Sequence, residues 1–308
     1  MSIVDDMHAL SVMHNPKLLL STPLYRPPML HRDAEFVDKP QACTIAAAFY
    51  DLIYEFIMSH MLITFPYHLY QLAIGIIHRM VAFEKRTSCR ITKWKPIFEA
   101  LLALLNFLAS NEMHVDVTAV HQICVQIMIL LNLFITYGDT FLPNDIAYDH
   151  MCYEIIRQEA VFRKLLKSAA KLRETDSENE ENSRTATKII SQLENPLEIV
   201  SHFKDKLAQL NTTSFSEEEV LEVVRKNFDS LHLKLYEGLE TAEPYDPNCI
   251  NALLDDLRLF VKRNSKKRYS LQNFEYSDML NALSSIESRK SSAVSRTHSR
   301  KSSASIDS

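Results

Sequence analysis

Glycine is scarce in this chain: only Gly75, Gly138 and Gly238 occur among 308 residues. Soluble proteins average about 7% glycine, so the deficit is large. Strand-rich and α/β folds use glycine in hairpins, bulges and phosphate-binding turns. The deficit therefore argues against those folds and predicts helices that are joined by Pro, Asn and Ser turns.

The cysteines are odd in number and scattered, and no two of them form a CxxC pair. This pattern is typical of reduced thiols in a cytosolic protein rather than of a disulfide scaffold or a zinc site. The nearest approach to a metal pair is His121 with Cys124, three residues apart on one predicted helix. Two ligands do not make a zinc site, so no metal is predicted. The cysteines are Cys43, Cys89, Cys124, Cys152 and Cys249.

The motifs of common enzyme classes are also missing. The chain has no GxSxG, P-loop, GxGxxG or HExxH sequence, and these are the patterns that place nucleophiles, phosphates or zinc. An acid–base pair could be imagined from His150 and Tyr153-Glu154. Polar residues that anchor a helix end explain them more simply. The sequence therefore predicts a non-catalytic protein without cofactor or small-molecule substrate, whose net charge of −5 gives no argument for nucleic acid.

A secretion signal and a long membrane span are not evident in the sequence. The N-terminus carries Asp5 and Asp6 where a signal peptide carries basic residues. The longest apolar run, 123–137, is shorter than the roughly 20 residues of a span and is interrupted by Gln126 and Asn132. The run favours a buried helix of a cytosolic protein. The alternative is an integral or lipid-associated membrane protein that uses the 123–137 helix.

Apolar residues recur at helical spacing through most of the chain, which predicts an all-α fold of about eight to nine helices. Either an irregular multi-helix bundle or an α-solenoid fits, since no repeat of fixed period is visible. Ser216 and Glu219 match a capping box and predict a helix start. The predicted helices span about 41–64, 67–84, 96–110, 115–137, 146–172, 186–210 (two helices, broken near Pro196), 217–235, 247–263 and 269–286.

Composition divides the chain into three parts. Residues 1–40 are rich in proline and predict an extended lead-in, and 41–287 form the helical domain. Within that domain the acidic stretch at about 174–185 predicts a disordered loop. Residues 288–308 consist largely of Ser, Arg and Lys and predict a disordered tail.

The segment 138–143 is predicted to be a turn between two core helices and a candidate partner-binding site. Gly138 suits the position after a helix end, where positive φ is common, and Pro143 stops the helix from continuing. Phe141 is either an exposed anchor for a partner or a core residue, and the core interpretation is favoured. The candidate residues are Gly138, Asp139, Thr140, Phe141, Leu142 and Pro143.

A basic cluster lies near the end of the predicted helical domain. A solvated helix end, whose cations favour the C-terminal dipole, is the simplest interpretation. Contact with anionic lipid is the main alternative, because each base near a charged membrane adds about 1 kcal/mol. A nuclear-import patch is the weakest. The residues are Lys262, Arg263, Lys266, Lys267 and Arg268.

The tail contains the same short sequence twice, Ser-Arg-Lys-Ser-Ser at 288–292 and again at 299–303. Each copy places an arginine three residues before a serine, at Ser292 and Ser303, which suits kinases that prefer basic substrates. The sequence predicts phosphorylation at these serines; an inert polar tail is the alternative.

One long stretch resembles a known family. The run Asn132-Leu-Phe-Ile-Thr-Tyr-Gly-Asp-Thr-Phe-Leu-Pro143, followed by Tyr148-Asp149 and Tyr153-Glu-Ile-Ile-Arg157, resembles the C-terminal domain of the armadillo-like helical domain-containing protein 3 family. Thr64-Phe-Pro66 and Ser216-Glu-Glu are supporting matches. The resemblance runs from about Leu18 to Leu271 and is specific, because twelve consecutive unusual residues carry it.

The resemblance implies an armadillo-like helical scaffold that is cytoplasmic and peripherally associated with Golgi membranes. It implies roles in Golgi maintenance and protein secretion. The implied partners are the Golgi guanine-nucleotide exchange factor for Arf GTPases and phosphatidylinositol 4-kinase beta. Longer members carry a large armadillo-like region before this domain, so the chain is expected to hold only part of the family's function. The resemblance implies no catalytic residue.

Overall fold

The computed structural model describes residues 2–21, 23–27, 32–38, 41–61, 65–110, 117–175, 180–209 and 215–242, together with 258, 259 and 262. The chain divides into two compact units, Met1–Asp246 and Pro247–Ser308. Within the second unit the described residues are Arg258, Leu259 and Lys262, all helical and exposed. The predicted helices at 247–263 and 269–286 therefore lie almost entirely outside the described residues.

The first unit is built from helices, which confirms the all-α prediction. Among the described residues, nine helices are eleven residues or longer, and two short helices precede them. The helices are α1 Ser2–Asp5, α2 Met7–Met13, α3 Ile45–Ser59, α4 Tyr67–Thr87, α5 Trp94–Ser110, α6 Val117–Phe141, α7 Asp145–Arg157, α8 Glu159–Thr175, α9 Glu180–Gln192, α10 Glu194–Ala208 and α11 Glu217–Asn227, and a 3₁₀ turn follows at Phe228–Ser230.

Helix α6 is the centre of the first unit and packs against α4, α5, α7, α9 and α10. Its length and apolar composition would be enough to cross a membrane, and it is the one such helix among the described residues. Most of its side chains are nevertheless buried by protein. Asn132, which is fully buried, donates through Nδ2 to the backbone oxygens of Met128 (3.1 Å) and Gln192 (2.7 Å). A buried amide is therefore accommodated by a neighbouring helix.

Aromatic side chains form a chain through the core. The rings of Phe98 and Phe134 lie 5.3 Å apart, and those of Phe134 and Phe141 lie 5.2 Å apart, both edge to face. All three side chains are fully buried. Such pairs contribute about 0.5–1.5 kcal/mol beyond the burial of their area. These ring pairs connect α5 to the second half of α6.

Residues 1–40 were predicted to be extended, and this prediction is wrong for the first residues. Asp6 caps α2 by accepting from the backbone N–H of His8 at 2.8 Å, and Leu10 and Met13 are buried against the core. A local cap and two apolar contacts therefore suffice to form a short helix. Among the described residues, four short antiparallel strands follow: β1 Leu19–Leu20 pairs with β4 Cys43–Thr44, and β2 Leu24–Arg26 pairs with β3 Glu35–Val37.

A buried polar cluster attaches the end of α2 to α3 and α4. His14 Nε2 lies 2.8 Å from Glu84 Oε1, and the Tyr50 hydroxyl donates to Glu84 Oε2 at 2.8 Å. His14 Nδ1 lies 2.8 Å from the carbonyl of Leu10, which can only accept, so Nδ1 carries a proton. Burial raises the pKa of Glu84. Burial alone would lower the pKa of His14, but the hydrogen bond to Glu84 and the charge of that carboxylate outweigh burial, so the pKa of His14 is also raised.

Two predicted boundaries are wrong in the middle of the chain. The single helix predicted at 146–172 is two helices, α7 and α8, separated at Gln158. The acidic loop predicted at 174–185 is helical at both ends, because α8 continues to Thr175 and α9 begins at Glu180. Asn182 is buried in α9 and accepts from the hydroxyl of Thr118 at 2.9 Å. Small polar residues therefore serve as packing residues there; 176–179 lie outside the described residues.

Candidate functional site

The predicted turn at 138–143 begins later than its sequence suggested. Helix α6 runs through Phe141, and Gly138 lies inside it, so the prediction of a positive φ at Gly138 is wrong. Its missing side chain serves another purpose. A Cβ at Gly138 would lie 3.0 Å from Leu142 Cδ1 and 3.2 Å from the ring of Tyr148. The absence of a side chain at Gly138 therefore favours the close approach of α7 to the last turn of α6.

Phe141 and Leu142 are fully buried, so neither is an exposed anchor for a partner. Phe141 belongs to the aromatic chain of the core, as favoured from sequence. The backbone oxygens that the end of α6 leaves free are bound from the preceding segment: Ile91 N–H donates to Phe141 O at 2.8 Å, and Arg90 donates to Asp139 O at 2.6 Å and Leu142 O at 2.7 Å. The helix end is thus a packed joint.

The cap of the next helix is also one residue beyond the predicted segment. The hydroxyl of Thr140 donates back to Tyr137 O at 2.7 Å, and Asn144 accepts from the N–H of Ala147 at 2.9 Å. Asn144 therefore caps α7. The signal was present, because an asparagine followed by an aspartate is a common helix start. Pro143 is exposed between the two helices.

A groove of about 650 Å³ lies beside this joint, and Asp139 is the one predicted candidate that lines it. We call it the acidic groove. Its lining residues are Ile135, Thr136 and Asp139 from α6, Asn144, Asp145, Tyr148 and Asp149 from α7, Arg225 from α11, and Phe228, Asp229, Leu233, Lys234 and Leu235 from the segment that follows α11.

An aromatic pair lies in the lining of the acidic groove. The rings of Tyr148 and Phe228 meet edge to face at 5.3 Å. The Tyr148 hydroxyl donates to Ile135 O at 2.6 Å. Burial, with smaller contributions from the charges of Cys152 and Asp139, raises the pKa of Tyr148 well above its ordinary value. The hydroxyl therefore stays protonated and acts as a structural donor.

The segment 231–235 forms one wall of the acidic groove, and sequence reasoning missed it. The helix predicted at 217–235 starts at the predicted capping box, with both Ser216–Glu219 bonds present, but ends at Asn227. Phe228–Ser230 then forms a 3₁₀ turn, and Leu231 takes an extended conformation with φ −82° and ψ 127°. Leu235, the last residue of the predicted helix, is 72% exposed. The early end of α11 thus places an apolar side chain at the surface.

The sequence comparisons agree with this fold. A family model described as "Armadillo-like helical domain-containing protein 3, C-terminal" matches residues 43–267, which include every residue of the acidic groove. The chain belongs to the armadillo-like helical domain-containing protein 3 family. Curated relatives of that name from Danio rerio and Homo sapiens are 36% and 35% identical over 294 residues, covering 92% of this chain and 42% of each relative. The chain thus spans about two-fifths of their length, and no solved structure matches it.

The residues that the sequence suggested for metal binding or acid–base chemistry have other roles in the fold. His121 uses both ring nitrogens, lying 2.7 Å from Val117 O and 3.2 Å from the Ser168 hydroxyl. Burial raises the pKa of Cys124 to about 12, so its sulfur is a thiol. Within the part of the chain that the structure describes, no group of three or more His, Cys, Asp or Glu could hold a metal ion.

The imagined acid–base pair is not brought together as a pair. His150 lies 3.3 Å from Glu217 of α11, whereas Glu154 lies 3.0 Å from Arg157 in its own helix. The first contact joins α7 to α11, and the second lies within α7. Of the basic cluster, Lys262 is described and exposed. Arg263, Lys266, Lys267 and Arg268, and the serines Ser292 and Ser303, lie outside the described residues, so the predictions for them stay predictions.

Proposed function

We propose that this chain is a non-catalytic helical scaffold or adaptor in Golgi maintenance and protein secretion. One observation carries the proposal: the family model matches from residue 43 to 267, and so covers helices α3 to α11 of the first unit. The fold supports it as well, since the buried polar residues described above stabilise helix contacts. A rigid helical frame with grooves between its helices is a common way to present binding surfaces.

The proposed partners follow from the family resemblance: the Golgi exchange factor for Arf GTPases and phosphatidylinositol 4-kinase beta. The proposed location is the cytoplasm, with peripheral association at Golgi membranes. Because the chain spans 42% of its curated relatives, each of these contacts is proposed for this chain separately from the longer proteins. The burial of α6 by five other helices supports a peripheral association over an integral one.

Co-purification tests the scaffold proposal. An epitope-tagged chain is expressed in cells, purified under mild conditions and probed for both proposed partners. We expect at least one partner to be retained by the folded chain and lost with Phe141→Ala, whose core cavity should disrupt the fold. Recovery of neither partner with a folded chain contradicts the proposal.

A second candidate function, an integral membrane protein, rests on the length and composition of α6 (Val117–Phe141). Spanning would require this helix to exchange its protein contacts for lipid. It would also separate Asn132 Nδ2 from the Gln192 carbonyl that it now binds on α9, and the loss of a polar partner is costly in hydrocarbon. Carbonate extraction of cell membranes separates the two candidates, since a peripheral scaffold is released and a spanning protein is retained.

A further inference from the structure

Some backbone groups in the wall of the acidic groove form no hydrogen bond within the described part of the chain. Asn195 of α10 binds both backbone groups of Lys234: its Oδ1 accepts from the N–H at 2.8 Å and its Nδ2 donates to the C=O at 2.9 Å. Asn195 binds neither backbone group of Leu233 or Leu235. Across the described residues, no hydrogen bond reaches the backbone N–H or C=O of either leucine.

The wall offers partly or largely accessible apolar side chains. Leu235 is 72% exposed, and Leu233 and Phe228 are half-buried. Both leucines line the same groove as the Tyr148–Phe228 ring pair. Unpaired backbone groups beside exposed apolar side chains are the usual template for the addition of a strand from another chain.

The charges of the acidic groove specify the partner. Four aspartates line it against one arginine and one lysine. Both cations are already paired, Arg225 with Asp149 at 3.1 Å and Lys234 with Glu194 at 2.8 Å. Asp139 and Asp229 form no ion pair with any described residue. The groove therefore offers carboxylates to an incoming cation.

The positions of these two carboxylates are unfavourable for helix stability. Asp139 lies in the last turn of α6, and Asp229 follows the end of α11. The carboxyl end of a helix carries partial negative charge and disfavours an acidic side chain. Neither aspartate is thus explained by the stability of its helix. The side-chain oxygen of Thr136, in the same lining, is also buried without a hydrogen bond in the described structure.

We propose that the acidic groove binds an extended basic peptide segment of a protein partner. The peptide adds as a strand along Leu233–Leu235, its aliphatic side chains pack on Leu235 and the Tyr148–Phe228 pair, and its lysines or arginines meet Asp139 and Asp229. The inference rests on the proposed function only in assuming that the chain binds proteins. It names the chemistry of one partner segment rather than the partner.

Fluorescence anisotropy with the full chain tests this proposal. The probe is a labelled peptide of alternating lysine and valine, and its matched control alternates glutamate and valine. We expect the basic probe alone to bind, and binding to weaken as salt increases. Asp139→Asn with Asp229→Asn should weaken it about tenfold, because the two variants remove two charge contacts at the surface. Glu174→Gln with Asp205→Asn, exposed acids elsewhere, removes the same charge and should change nothing.

A second probe isolates strand addition. The same basic peptide with alternate amide nitrogens methylated keeps its charge but cannot pair with the wall, and we expect it to bind at least tenfold more weakly. Equal binding of the methylated peptide, equal binding of the acidic peptide, or no binding of the basic peptide overturns the proposal. Thermal melts of all variants confirm that the chain remains folded.

Photo-crosslinking from position 235 in cells identifies the natural occupant. A protein segment rich in lysine or arginine that requires Asp139 and Asp229 supports the proposal; a lipid, an acidic segment or a second copy of the chain overturns it. The outcomes remain separable from the scaffold proposal. If partners still co-purify with the Asp139→Asn, Asp229→Asn variant, the scaffold proposal holds and the groove proposal does not. If the chain binds the basic peptide but no partner co-purifies, the groove proposal holds and the scaffold proposal does not.

Discussion

Asn195 on α10 binds the backbone of Lys234, 39 residues later in the chain, through both ends of its carboxamide. The side chain is buried, with 1% of the residue exposed, and its two bonds are those that a paired strand would make. One amide thus attaches the irregular segment after α11 to a helix of the core.

Asn195→Ala should therefore lower the free energy of unfolding by about 1–3 kcal/mol, because it leaves two partly buried backbone groups without a partner. Hydrogen exchange should accelerate at 231–236 more than elsewhere. Asn106→Ala, at an exposed position of α5, is the control and should change stability by less than about 0.5 kcal/mol. Uniform acceleration across all helices would show that Asn195 supports the whole fold rather than this segment.

Phe141→Ala should lower the free energy of unfolding by about 3–5 kcal/mol, because Phe141 is fully buried against Phe134 and cannot be replaced without a cavity. Urea unfolding measures the change. Ile146→Ala provides the control, since Ile146 is 55% exposed on α7. A stable Phe141→Ala protein that fails to retain partners would instead support the anchor role.

Gly138→Ala should destabilise the chain by about 1 kcal/mol, although alanine is the better helix former. The new methyl group would press on Leu142 and on the Tyr148 ring, whose hydroxyl is bound to Ile135 O at 2.6 Å and cannot withdraw freely. Tyr148→Phe removes that bond. In a double-mutant cycle, the penalty of Gly138→Ala should therefore shrink in the Tyr148→Phe background; an unchanged penalty would place the clash at Leu142.

Glu84→Gln should alter how stability depends on pH. The folded pKa values of His14 and Glu84 are both raised, so the folded chain binds more protons than the unfolded one. The stabilisation from His14 is complete below its unfolded pKa of 6.5 and is lost as pH rises through the folded value. The raised pKa of Glu84 acts in the same direction: stability falls as pH rises above 4.5, the ordinary pKa of this carboxyl group. Burial, together with the charge of Glu84, also raises the pKa values of Tyr50 and Cys89.

Urea unfolding between about pH 5 and 8 checks this prediction, the range in which histidine changes charge. The free-energy difference between the unmodified chain and Glu84→Gln should fall as pH rises, because glutamine removes the charge that raises the pKa of His14. Asp205→Asn, an exposed acid on α10, is the matched control. A difference that grows with pH would reverse the assigned sign and show that burial of His14 dominates.

Phosphorylation at Ser292 and Ser303 remains a prediction from the sequence. Each phosphate adds about −1.5 to −2 charge to a stretch that is otherwise basic. Ser292→Asp with Ser303→Asp should leave the melting temperature unchanged and alter the recovery of partners or anionic vesicles. A lowered melting temperature would mean that these serines are packed, and unchanged recovery of every partner would contradict a regulatory role.

Local features of the sequence determined the helical class and several helix starts. The Ser216–Glu219 capping box was predicted and is present, because both of its bonds form within four residues. Apolar spacing similarly located α4, α5 and α6. These features depend on side chains one turn apart, so they are readable along the chain.

Tertiary contacts decided where helices end and which residues face solvent. Gly138 marks a close approach of Tyr148 rather than a turn, and Leu235 is exposed because α11 ends eight residues earlier than it. His14 meets Glu84 across 70 residues of sequence, and the acidic groove gathers side chains from α6, α7, α11 and the segment that follows it. Such contacts form between distant parts of the chain. Their energies compete with helix propensities of less than about 1 kcal/mol per residue and override them, so only the folded structure could reveal them.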